Sequence, residues 1–91
     1  MRYSIIFSPD ADKALRKYKK SNPIRFKKVA ALLNDIAEHP RTGVGHPEAL
    51  VNGNDSIYFR RISGQDRMIY EIIDETIIVN VVSLEGHYND K

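Results

Sequence analysis

From Arg2 to Phe7 the chain alternates, with Tyr3, Ile5 and Phe7 on one side, and this two-residue period predicts a first strand. Ser8-Pro9 then signals a helix start. A serine hydroxyl caps free backbone N–H groups, and proline suits the first turn, where its missing N–H would go unpaired anyway. Ala11, Ala14, Leu15 and Tyr18 follow at helical spacing and form one apolar stripe on a helix ending near Lys20. Asn22-Pro23 repeats the start signal. Ile24, Val29, Leu32, Leu33 and Ile36 mark the buried face of a second helix, which His39-Pro40 is expected to end. Two helices joined by so short a connection make a helical hairpin.

Periodicity is lost between Arg41 and Asn54, where Gly43, Gly45, Pro47 and Gly53 predict a loop. Three β-rich runs follow: Ser56–Ile62, Arg67–Ile73 and Thr76–Leu84. Ser63-Gly64-Gln65-Asp66 and Asp74-Glu75 separate them, both short enough for hairpins. The predicted order is β-α-α-β-β-β, an α+β fold in which an antiparallel sheet carries the helical hairpin on one face. The Ile- and Val-rich last run is expected at the centre of that sheet.

A length of 91 residues supports a single small domain, 1–91, with a thin core. An apolar content of 42% and a charged content of 29% fit an ordinary globular protein. With no cysteine, disulfides and thiolate metal sites are excluded. No secretory signal and no run approaching the ~20 apolar residues of a membrane span is read, so the expected location is the cytoplasm. The net charge of +2 permits an RNA partner without requiring one. Its placement says more: Arg16, Lys17, Lys19, Lys20, Arg25, Lys27 and Lys28 crowd the first third, and Arg60, Arg61 and Arg67 gather later.

Among groups capable of chemistry, Glu48 is the single acid of the segment Gly43 to Leu50, with His46 two residues before it. Either it is a solvated loop acid or it is a proton acceptor. Arg60 and Arg61 face opposite sides of a strand, so one of them points away from the helices. Arginine is planar and permanently charged, and suits phosphate. The same residues read equally well as edge charges, or as partners of Asp66 and Glu71. His87 titrates near neutrality and Tyr88 can stack on a base, although terminal positions are often inert. Tyr58 and Phe59 add aromatic surface beside the arginines, whether as RNA-stacking groups or as core and rim of the sheet. Three dispersed histidines lack metal-ligand spacing, and there is no glycine-rich phosphate loop, so no metal or cofactor is expected.

Taken in order, these residues form a recognisable series. Gly-x-Gly-x-Pro-Glu-x-Leu from Gly43 to Leu50, an aromatic pair before Arg-Arg-Ile from Tyr58 to Ile62, Arg-Met-Ile-Tyr from Arg67 to Tyr70, and the late pair His87-Tyr88 closely resemble the YoeB/Txe toxins of the RelE superfamily. The similarity runs over nearly the whole chain. It implies a RelE-like fold and a toxin that enters the A site of the 70S ribosome and cleaves mRNA there without a metal. It also implies neutralisation by an antitoxin of the Phd/YefM type, and makes a homodimer plausible.

Carried over by position, the resemblance makes Glu48 the general base, Arg67 the cation on the phosphate with Arg61 beside it, and His87 the general acid. Tyr88 would help to place substrate, and Arg60 and Tyr58 join the substrate-binding candidates. Val44, His46 and Val51 stand where some relatives carry lysines, so the hold on ribosomal RNA is either weaker here or supplied by the early basic helices. Asn89, Asp90 and Lys91 extend beyond the His-Tyr pair. The rival expectations are a gyrase-directed, ParE-like toxin of the same fold, a plain RNA- or protein-binding module, and a degenerate toxin that only binds its antitoxin.

Overall fold

The computed structural model describes residues 2–50 and 55–84. Its first strand, β1 (Ser4–Phe7), leads into helix α1 (Pro9–Ser21) and helix α2 (Pro23–Glu38). A two-residue strand, β2 (Glu48–Ala49), precedes β3 (Ile57–Arg61), β4 (Arg67–Ile73) and β5 (Ile78–Ser83). Both helix starts form as their sequences require. The Ser8 hydroxyl accepts from the Ala11 N–H at 3.0 Å, and the Asn22 side chain accepts from the Arg25 N–H at 3.2 Å.

The sheet runs β1-β5-β4-β3-β2. β2, β3, β4 and β5 are antiparallel in turn, whereas β1 pairs with β5 in parallel. A parallel pair needs a long connection between its strands, and everything from α1 to β4 provides it. β5 is interior, as its composition suggests, but β4 occupies the middle, because β1 adds beyond β5 and β2 beyond β3. The segment expected to be loop from Arg41 onward thus gains a short strand. The turn after β4 is also longer than expected. Asp74–Thr76 forms a 3-10 turn and Ile77 is left-handed at φ 57°, so the last strand starts at Ile78 and not at Thr76.

One face of the sheet meets the helices. Ala11, Ala14 and Tyr18 of α1 and Val29, Leu32 and Ile36 of α2 pack on Tyr58, Met68, Tyr70, Ile72, Val79 and Val81. Leu15 and Leu33 lie half-buried at the margin. Ile24 departs from its expected place: it is 82% exposed, because the first turn of α2 overhangs the core. The Tyr18 hydroxyl donates to the Leu84 carbonyl at 3.1 Å, tying α1 to the end of β5. Outward, the hairpin exposes Arg16, Lys17, Lys19, Lys20, Lys27 and Lys28, so much of the early basic cluster is solvent surface.

Candidate active site

Side chains in a strand alternate between faces, so register decides which functional groups share a surface. Glu48 of β2 lies opposite Phe59 of β3, and Phe59 lies opposite Ile69 of β4. Arg61 of β3 lies opposite Arg67 of β4. All five belong to the face away from the helices. Glu48 and Arg61 are exposed and Arg67 is half-buried, with its guanidinium 5.7 Å from the centre of the Phe59 ring. The acid row and the arginine row are two residues apart along the strands, or roughly 7 Å. That spacing accommodates one nucleotide's ribose and phosphate between a carboxylate and two cations. Two arginines directly opposed repel one another, and an anion placed over both relieves the repulsion.

The turn before Arg67 is fixed by its own polar groups. The Asp66 N–H donates to the Ser63 hydroxyl at 3.1 Å, and the Asp66 carboxylate pairs with Arg25 of α2. Asp66 is therefore engaged by Arg25, and the partner of Arg60 is Asp35.

The opposite parity places Tyr58 and Arg60 beneath the helices, which corrects their assignment as substrate-binding groups. Tyr58 is 8% exposed; its ring stacks on Tyr70 and its hydroxyl donates to Asp55 at 2.5 Å. Arg60 is fully buried. A guanidinium has five N–H donors, and here five bonds occupy them. Nε donates to the Tyr70 hydroxyl at 3.0 Å, and Nη1 donates to Asp35 at 2.6 Å and to the Val44 carbonyl at 3.0 Å. Nη2 donates to the carbonyls of His39 at 2.5 Å and Thr42 at 2.8 Å. The Tyr70 hydroxyl in turn donates to the Pro40 carbonyl at 2.7 Å. The Arg60 guanidinium, with the Val44 N–H beside it, holds the Asp35 carboxyl below its ordinary range. Burial pushes the Tyr70 phenol up, against the pull of Arg60.

This network shapes the segment that delivers Glu48. Gly43 has φ 116°, and a Cβ there would lie 1.9 Å from an Asp35 carboxylate oxygen. Only glycine fits that approach. His46 takes a left-handed φ of 54° immediately before Pro47, and the Arg61 N–H donates to the Gly45 carbonyl at 2.9 Å. Three residues later Glu48 is on the sheet edge.

Glu48, Arg61 and Arg67 are thus brought to one face, and Tyr58 and Arg60 are not. His87 and Tyr88 lie outside the described residues. Phe59, open in the sequence between a stacking group and the rim of the sheet, shares the parity of Arg61 and lies on the open face. One contributor escaped the sequence reading: Asp35, since an aspartate within an amphipathic helix looks like solvated surface. Among the described residues no group of three or more histidines or carboxylates is arranged to hold a metal ion.

Residues 7–88 match the family described as the YoeB-like toxin of bacterial type II toxin-antitoxin systems. The chain belongs to that family. It is 32% identical over 62 residues to the toxin YoeB of Synechocystis sp., covering 68% of this chain and 70% of that one. The YoeB dimer from Staphylococcus aureus superposes with a TM-score of 0.84 at 29% identity, over 97% of this chain and 100% of that one. The same toxin in a YoeB–YefM complex from Staphylococcus aureus gives 0.81 at 30% identity, with the same coverage. The RelE-like α+β fold expected from the sequence is therefore the fold of this YoeB-family chain.

Proposed function

We propose that this YoeB-family toxin is a metal-independent endoribonuclease that cleaves mRNA in the ribosomal A site and so arrests translation. The observation that carries the reading is the strand register. It aligns Glu48, Arg61 and Arg67 on the open face of the sheet, with an aromatic ring between the acid and the cations. Family membership supports the same direction.

In this reading Glu48 removes the proton from a ribose 2′-hydroxyl, and the oxygen attacks the adjacent phosphorus. Arg67 and Arg61 bind the negative charge that grows on the phosphate oxygens. His87 protonates the departing 5′-oxygen and Tyr88 holds a neighbouring base, leaving a 2′,3′-cyclic phosphate and a 5′-hydroxyl. Each proton-transfer group contributes roughly 10²- to 10⁴-fold. Phe59 supports Arg67 and presents a ring edge to the substrate. The basic outer surface of the helical hairpin supplies long-range attraction to ribosomal RNA. The partner that silences the toxin is a YefM-type antitoxin, the kind seen with the Staphylococcus aureus toxin. The site of action is the cytoplasm; among the described residues no helix is long and apolar enough to cross a membrane.

Induced expression of wild type, Glu48→Ala, Arg67→Ala and His87→Ala, with mapping of mRNA 5′ ends, tests the proposal. Wild type is expected to stop growth and cut at ribosome-occupied codons, and each substitution to abolish both effects. Growth arrest with intact mRNA would overturn it in favour of another target.

A further inference from the structure

The segment that carries Glu48 has almost no hydrophobic anchor. From Arg41 to Ala49 no side chain is buried, and Val44 is 55% exposed. Arg41 ties its start to Asp55 and Asp74, and beyond that point what holds it is the Arg60 guanidinium, which donates to the carbonyls of His39, Thr42 and Val44 from the inner face of the sheet. Asp35 completes the clamp by accepting from Arg60 and from the Val44 N–H at 3.3 Å. The next anchor is the Gly45 carbonyl on the N–H of Arg61, and Glu48 follows opposite Phe59. One residue of β3 therefore grips the loop from the inner face while its neighbour presents a cation on the outer face.

We infer that Arg60, held by Asp35 and Tyr70, is a positioning residue for Glu48, setting the height and angle at which the carboxylate meets the substrate across from Arg61 and Arg67. The inference rests on the reading of Glu48 as the general base. It differs from a purely structural role in a definite way. Loosening the clamp leaves the helix–sheet core intact and shifts only the loop, so the chemical step suffers more than substrate binding. Misplacement of a reacting group by about 1 Å costs on the order of 10²-fold in rate.

The test uses the full chain on ribosomes programmed with a defined mRNA, comparing Arg60→Lys, Asp35→Asn and Glu48→Gln with wild type. Lysine keeps a charge beside Asp35 but has three donors on a single nitrogen and cannot fan across three carbonyls. Asparagine keeps the shape of Asp35, whose side chain is 22% exposed, so this variant is expected to fold even if Arg60→Lys does not. Arg60→Lys should lower kcat by roughly 10- to 100-fold with KM within about 3-fold. Asp35→Asn should give a smaller loss of the same kind, and amide exchange at Leu50 and Arg61, which flank the β2–β3 pairing, should quicken in both. Folded variants that melt lower but cleave at the wild-type rate, alongside an inactive Glu48→Gln, would overturn the positioning role and leave the nuclease reading standing. Glu48→Gln that still cleaves would remove the reading itself, and the inference with it.

Discussion

Arg60 and Arg61 are consecutive in β3 and meet opposite environments. Arg60 is fully buried, with five hydrogen bonds to a carboxylate, a phenol and three backbone carbonyls. Arg61 is exposed and faces Arg67, another cation, across the strand pair. In the first case a charge is removed from water and every donor is matched, which is what makes burial of a guanidinium tolerable. In the second, two like charges are brought side by side on the face away from the helices, Arg61 exposed and Arg67 half-buried, and an anion bound over both would relieve their repulsion. The inner face of the sheet is thus specified by matching every buried donor, and the outer face by the exposure of Glu48 and Arg61. The same residue type serves both, separated only by the two-residue period of a strand.

If that contrast holds, substitutions on the outer face should remove activity and leave the fold, and those on the inner face should do the reverse or both. The largest effect is expected at Glu48. Glu48→Ala should lower the rate of mRNA cleavage by about 10²- to 10⁴-fold, while urea unfolding changes by no more than about 0.5 kcal/mol, the usual range at a surface position. A large loss of stability in this variant would break the contrast, because it would make an outer-face residue part of the framework.

Arg60→Ala should come next, with a loss of about 3–5 kcal/mol in unfolding free energy, the typical consequence of breaking a buried pair by removing one partner. Asp35 is then left without its cation, and three carbonyls without their donor. Urea melts followed by far-ultraviolet circular dichroism read this directly. A change below about 1 kcal/mol would mean that water replaces the guanidinium at little cost, and that the inner face is less demanding than its geometry implies.

How much of this was legible in the sequence differs between the two faces. Ala11, Ala14, Tyr18, Val29, Leu32 and Ile36 announced the helical hairpin through their spacing, and the alternation in β3 and β4 announced the strands. The ordered series through Glu48, Arg61 and Arg67 marked the outer face. The inner polar network was not legible, because its members are joined by tertiary contact and share no periodicity. Asp35 lies 25 residues from Arg60, and the carbonyls it serves beside belong to residues chosen for turn geometry. Ile24 was misplaced for a related reason: helical spacing gives the apolar face of α2 but not where the sheet beneath it ends. The β2 strand was hidden because two residues carry no period at all.

A smaller effect should follow from Gly43→Ala. The position has φ 116° and a Cβ would lie 1.9 Å from the Asp35 carboxylate, so the loop must shift and the residue is strained. The expected loss is about 1–2 kcal/mol in stability, accompanied by reduced cleavage because the shift is passed toward Glu48. Thermal melts beside single-turnover cleavage check both halves. Wild-type cleavage in a destabilised protein would show that the loop can move without carrying the acid.

The smallest effect separates the charge of the inner network from its shape. Arg60 and the Val44 N–H lower the folded-state affinity of Asp35 for a proton below that of the unfolded chain, whose ordinary value is 3.8. A depressed carboxyl adds stability above the unfolded value, and that contribution is lost as pH falls through the folded one. Wild type should therefore lose stability as pH drops below about 4, and Asp35→Asn should lose less over the same window. At pH 7 the asparagine variant should be weaker by about 1 kcal/mol, the difference between a charge-assisted and a neutral hydrogen bond. The two unfolding curves should approach one another in acid. Some slope should remain in the variant, because Asp74 is likewise depressed by Arg41 and by the Tyr3 hydroxyl. Parallel curves from pH 7 to pH 3 would mean that Asp35 holds Arg60 by shape alone, and that the buried guanidinium is balanced by the three carbonyls and the Tyr70 hydroxyl.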